Sequence, residues 1–105
     1  MPTQEKLTVV CFNEGSKRVA QCLEYDIVGV SDTTEDAFKE LMLSIISRIA
    51  FAKEHNISNP FAGIPKAPKK HQEKLKVATR LQLKPPAPKR AKSTYKVPSV
   101  AAYAL

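Results

Sequence analysis

Two cysteines, two histidines and one group of carboxylates are the residues of this 105-residue chain whose types and spacing suggest chemistry. Cys11 and Cys22 are candidates for a disulfide, a thiolate nucleophile or half of a zinc site. A turn at 13–17 sets Cys11 opposite a residue near Val19. Cys22 then lies about three residues further on, roughly 10 Å at 3.3 Å per residue. A disulfide needs Cα atoms within about 7 Å, so the spacing predicts two free thiols. His55 and His71 stand at no zinc-ligand spacing, and no histidine lies near Cys22 in sequence to activate it. A small, buried, apolar cysteine is the expectation there. Asp26, Asp32, Glu35 and Asp36 are the carboxylates a metal-dependent nuclease would use. Three of them are explained by capping of a helix, and Asp26 by the wet face of a strand. Glycine occurs only at 15, 29 and 63, too sparse for a phosphate-cradling loop. The chain reads as non-catalytic, with no cofactor and no metal.

Charge is the stronger signal. Residues 1–60 hold six Lys/Arg against nine Asp/Glu, and residues 61–105 hold eleven against one, which together give the net +7. Lys69, Lys70, Lys74, Lys76, Arg80, Lys84, Lys89, Arg90, Lys92 and Lys96 are candidate contacts for nucleic acid or an acidic partner. Such density attracts phosphate backbones through counterion release, without sequence readout. Phe61 and Tyr95 are the rings credited with stacking on bases, too few for specific single-strand recognition.

Among the elements that hold these residues, Leu7–Phe12 is a short β-rich run and Val19 to Ile27 alternates in the manner of a strand, with Val28-Gly29-Val30 continuing the signal. A three-stranded meander is predicted at 6–13, 17–24 and 26–31, with Gly15 in its first turn and Gly29 at a bend. Thr33 with Asp36 three residues later makes a variant capping box, and Glu35 and Asp36 suit a helix N-terminus. Phe38, Leu41, Met42, Ile45, Ile46 and Ile49 then form one stripe at helical period, predicting a helix over 34–55. Phe51 lies almost opposite that stripe. A loop follows, then a short helical turn at 67–74. A candidate fourth strand over 75–83 alternates apolar and cationic residues. Seven of the eight prolines stand at position 60 or beyond, and 85–92 reads as an extended, solvated polyproline-like stretch.

The predicted class is α+β: an antiparallel three- to four-stranded sheet on one long helix, in the order β-β-β-α-β, followed by a basic, proline-rich flexible tail. Its divisions are a core at 1–58, a loop, turn and possible strand at 59–84, and a tail at 85–105. One helix covers one sheet face only, so the other is expected to be apolar and open, predicting a homodimer. Phe12, Phe51 and Phe61 are the candidate protein-interface residues. The N-terminus has no apolar secretory segment. The longest apolar stretch, 41–52, falls short of the roughly 20 residues of a membrane span, so a cytoplasmic protein is expected.

The order β-β-β-α-(β) and the wording around the third strand and the helix resemble the HicB-like antitoxin family. The matching residues are Val19-Ala20-Gln21-Cys22-Leu23-Glu24-Tyr25-Asp26 and Ser31-Asp32-Thr33-Thr34-Glu35-Asp36-Ala37, with Asn59-Pro60-Phe61-Ala62-Gly63-Ile64-Pro65-Lys66-Ala67-Pro68 similar to a tail of stand-alone members. The likeness covers about 6–68. Ser31 replaces the usual glycine, and the prolines after 84 forbid the C-terminal DNA-binding domain of full antitoxins. The resemblance implies a partial RNase H-like fold and a module that masks a protein partner. In the family that partner is a small basic RNA-cleaving toxin, HicA, which the net −3 of residues 1–60 would complement. The alternative reading is a small nucleic-acid-associated protein that uses the domain as a scaffold for its basic tail.

Overall fold

Gly15 takes φ 63°, a left-handed conformation that costs glycine little, and so closes a tight hairpin between β1 (Lys6–Glu14) and β2 (Lys17–Cys22). The register pairs Cys11 with Ala20 and Val9 with Cys22. A second antiparallel pairing, Ala20 with Gly29, adds β3 (Val28–Ser31). The computed structural model describes residues 6–83 and 98–105. The chain then enters α1 (Thr34–Glu54), where the Thr33 side chain accepts from the Asp36 amide at 3.1 Å. Asn56, at φ 57°, ends the helix, and the Ile57 amide returns to the Ala52 carbonyl at 2.8 Å. That is the left-handed termination in which asparagine can replace glycine.

α1 lies on one sheet face. Leu7, Val9, Cys11, Ala20, Cys22 and Ala102 pack there against Ala37, Phe38, Leu41, Met42 and Ile45. Each large side chain so buried contributes about 1.5–3 kcal/mol. Gly29 lets the helix come close. A Cβ at that position would stand 2.3 Å from the Ala37 carbonyl oxygen and 2.5 Å from the Leu41 amide nitrogen.

Three expectations are corrected. The sheet is mixed and five-stranded, in the order β3-β2-β1-β5-β4, rather than antiparallel with three or four strands. Its added member, β5 (Ser99–Ala104), runs parallel to β1, with Val10 beside Tyr103. It therefore belongs to the sheet's interior and removes 99–104 from the expected 85–105 tail. Parallel pairing requires a long crossover, here nearly the whole chain. The fourth strand, β4 (Thr79–Leu81), is shorter than 75–83 and, among the described residues, pairs only with β5. Leu75 and Leu81 do not share a face. Leu75 packs with Val10 and Leu23, whereas Leu81 packs with the α1 cluster. A 3-10 turn at Leu75–Val77 carries the chain between them.

The sheet face away from α1 is partly covered as well. α2 (Lys69–Lys74) and its approach bury Val10, Leu23 and Ala67, with Phe12 and Leu75 at the margin. The approach is pinned by Asp26 N–H to Pro65 O (2.7 Å), Ala67 N–H to Leu23 O (3.1 Å) and Gln72 Nε2 to Leu23 O (3.0 Å). An open apolar face, the premise of the homodimer, is thus reduced to its flank at β3. Among the described residues no helix is long and apolar enough to cross a membrane.

Candidate interaction surfaces

The residues with chemical potential are held in structural roles. Cys11 and Cys22 are free and buried, and burial pushes both thiols up to about 11. Such thiols are protonated at neutral pH and are poor nucleophiles. Glu24 accepts from the Thr8 amide at 2.7 Å and the Thr8 hydroxyl at 2.9 Å, tying the end of β2 to the start of β1. The buried Gln21 amide donates to Cys22 O at 2.8 Å and Asp26 Oδ1 at 3.0 Å. The Gln-Cys-x-Glu wording therefore describes how a hairpin end is fastened. Among the described residues, no group of three or more His, Cys, Asp or Glu is placed to hold a metal ion.

What projects outward falls on two surfaces of opposite character. The first is the outer edge of β3. Among the described residues it ends the sheet, and no strand of theirs lies beside its outward N–H and C=O groups. Val28 and Val30 are 45% and 50% exposed on the face away from α1. Asp26 and Asp32 flank β3 in sequence, and Glu35, Asp36 and Glu40 lie on the first turns of α1, which packs on β3, all five exposed. Glu40 is the nearest on the helix side, its Cβ 3.1 Å from where a Gly29 Cβ would be. Lys17 bridges Asp32 at 2.6 Å and holds its carboxyl below the usual range. Arg18 and Lys39 are the other cations nearby in sequence, so carboxylates predominate.

The second surface is basic. Lys69, Lys70 and Lys74 lie on α2, Lys76 in the 3-10 turn and Arg80 on β4. Lys84, Lys89, Arg90, Lys92 and Lys96 lie outside the described residues. Phe12, half-buried, meets this group. His71 stacks on its ring at 5.3 Å, and Lys74 Nζ sits 4.4 Å from the ring centroid and 3.1 Å from His71 Nδ1. Burial, with Lys74 and Lys70 alongside, lowers the His71 pKa.

The other two candidate interface rings part company. Phe51 is 56% exposed, stacked on His55 at 4.0 Å, beside a groove lined by Arg48, Ile57 and Pro60. Phe61 is buried and stacked on Tyr25 at 4.3 Å. Phe61 is thus a core residue and not an interface residue, because the loop folds it under α1's neighbours. Sequence reasoning missed Val28 and Val30, whose alternation with Gly29 was the available signal, and Tyr103, whose strand was read as a tail. Comparison with family models, with known proteins and with solved structures finds no match for this chain.

Proposed function

We propose that this chain is a non-catalytic interaction module of HicB-like antitoxin type, which binds and masks a basic protein partner such as a small RNA-cleaving toxin. One observation carries the reading: β3, the last strand of the sheet among the described residues, has two exposed valines and is flanked by exposed carboxylates in sequence and on α1. An extended segment of the partner adds as a sixth strand to β3. The main-chain bonds of such an addition supply affinity, and flanking side chains supply choice. The acidic rim attracts a basic partner and speeds its arrival. Support also comes from the order β-β-β-α with a strand returning beside β1, and from the Gln21-Cys22-x-Glu24 and Thr33-x-x-Asp36 wording.

Without the partner the same edge serves a second copy, the homodimer that the sequence suggests. Two acidic rims then face each other, so salt strengthens self-pairing, whereas it weakens the pairing with a basic partner. The test begins with capture from nuclease-treated native lysate, followed by purification of the captured protein. That protein should be basic, cleave RNA alone, and lose cleavage at one equivalent of this chain. Val28→Lys with Val30→Lys should restore cleavage, because paired lysines block edge addition. A captured protein whose activity this chain leaves unchanged refutes the reading.

A further inference from the structure

The basic surface carries an arrangement that the tail-based reading did not contain. The register places Val10 beside Tyr103 and Tyr103 beside Arg80. Side chains alternate along strands, so Phe12, Val10, Tyr103 and Arg80 share the sheet face away from α1. Arg80 lies over the Tyr103 ring at 5.6 Å. His71 is laid on Phe12, and Lys74 links the two. Phe12 and His71 therefore stack on this face, and Tyr103 stands on it one strand over, each ring beside a cation. Residues 61–83 hold Lys66, Lys69, Lys70, Lys74, Lys76 and Arg80 against Glu73 alone, and all but Lys74 are exposed.

We propose that this face binds single-stranded nucleic acid, with bases stacking at Tyr103–Arg80 and at His71 while the lysines of α2 and its flanks follow the phosphates. Charge alone suits an acidic protein equally well. The rings decide between them, because aromatic side chains interleaved with cations contribute to stacking on bases and little to carboxylates. A duplex is the poorer fit, since its bases are not free to stack. Lys74 Nζ lies 3.1 Å from His71 Nδ1, which fixes the orientation of the imidazole plane. The two surfaces adjoin, with Asp26 and Glu14 near enough to act on His71, but they use different strands, so each proposal can fail without the other.

The test uses the full chain and a fluorescein-labelled oligothymidine of about 15 nucleotides, with anisotropy read between about 50 and 200 mM salt. Six phosphate contacts predict a log–log salt slope of about −4, and Arg80→Gln or Lys74→Gln should each flatten it by about 0.7. Tyr103→Val and His71→Ala should each weaken binding about five- to 150-fold with the slope kept. Tyr103→Phe, which keeps the ring and the strand, should bind as the parent does and shows that lost affinity is not lost folding. Unchanged affinity in both Tyr103→Val and His71→Ala would leave the lysines of 84–96 as the binding agent and overturn the proposal. So would a polyglutamate peptide that binds more tightly than the oligonucleotide, which would make this an acidic-protein site.

Discussion

Replacing Gly29 with alanine probes the contact that sets β3 under α1. The new methyl would stand 2.3 Å from the Ala37 carbonyl oxygen and 2.5 Å from the Leu41 amide nitrogen, where ordinary contact begins at 3.4 Å. Both atoms are helix backbone, so no rotamer change relieves the clash. The helix has to retreat by about 1 Å, and Ala37 and Leu41, each 0% exposed, would lose their packing on the sheet. Overpacking of this kind costs about 1–3 kcal/mol, and a clash with backbone on two sides belongs at the upper end. About 3 kcal/mol corresponds to a fall in Tm of about 12–24 °C for a domain of this size. Urea unfolding followed by far-UV circular dichroism measures it, and an unchanged m-value shows that stability alone has moved. Val30→Ala on the same strand, 50% exposed, is the control and should stay within about 0.5 kcal/mol. A Gly29→Ala loss as small as the control's would mean that α1 does not press on β3 as described.

Three further outcomes follow from the same packing. Ile45→Ala should cost about 2–5 kcal/mol, since Ile45 is fully buried, whereas Leu43→Ser, at a position 44% exposed, should cost far less; equal losses in chemical denaturation would mean the helical phase is wrong. Ending the chain at residue 97 should abolish cooperative unfolding, because β5 is hydrogen-bonded to both β1 and β4; a truncated chain with a sharp thermal transition would show that the sheet does not need β5. Cys11 and Cys22, with pKa values of about 11, should react slowly with a thiol reagent at pH 8 and promptly in denaturant. The reaction should quicken as pH rises toward 11, where the thiolate forms, and fast labelling of the native chain at pH 8 would contradict their burial.

Much of the α+β core was legible because its signals are local. Gly15 marks a turn, Thr33 and Asp36 mark a helix start, and the stripe from Phe38 to Ile49 names the buried face. The sheet's full order was not legible. β5 is half alanine, a weak strand former, and its partner β1 lies some ninety residues earlier, so no local pattern announces the pairing. Alternation over 75–83 was real but misleading, since the segment changes faces at Val77, which is 76% exposed. The candidate surfaces behave the same way. Cations were countable, but Phe12, His71 and Tyr103 come to one face only through α2 and the β1–β5 register.

A basic partner that adds to the edge of β3 should leave its mark on the hydrogen exchange of this chain, read with and without one equivalent of the captured partner. Exchange should slow in Val28–Ser31 and stay unchanged in α2 and β4, and the protection should be lost in the Val28→Lys, Val30→Lys variant. Protection appearing on α2 and β4 while Val28–Ser31 exchanges as before would contradict that addition.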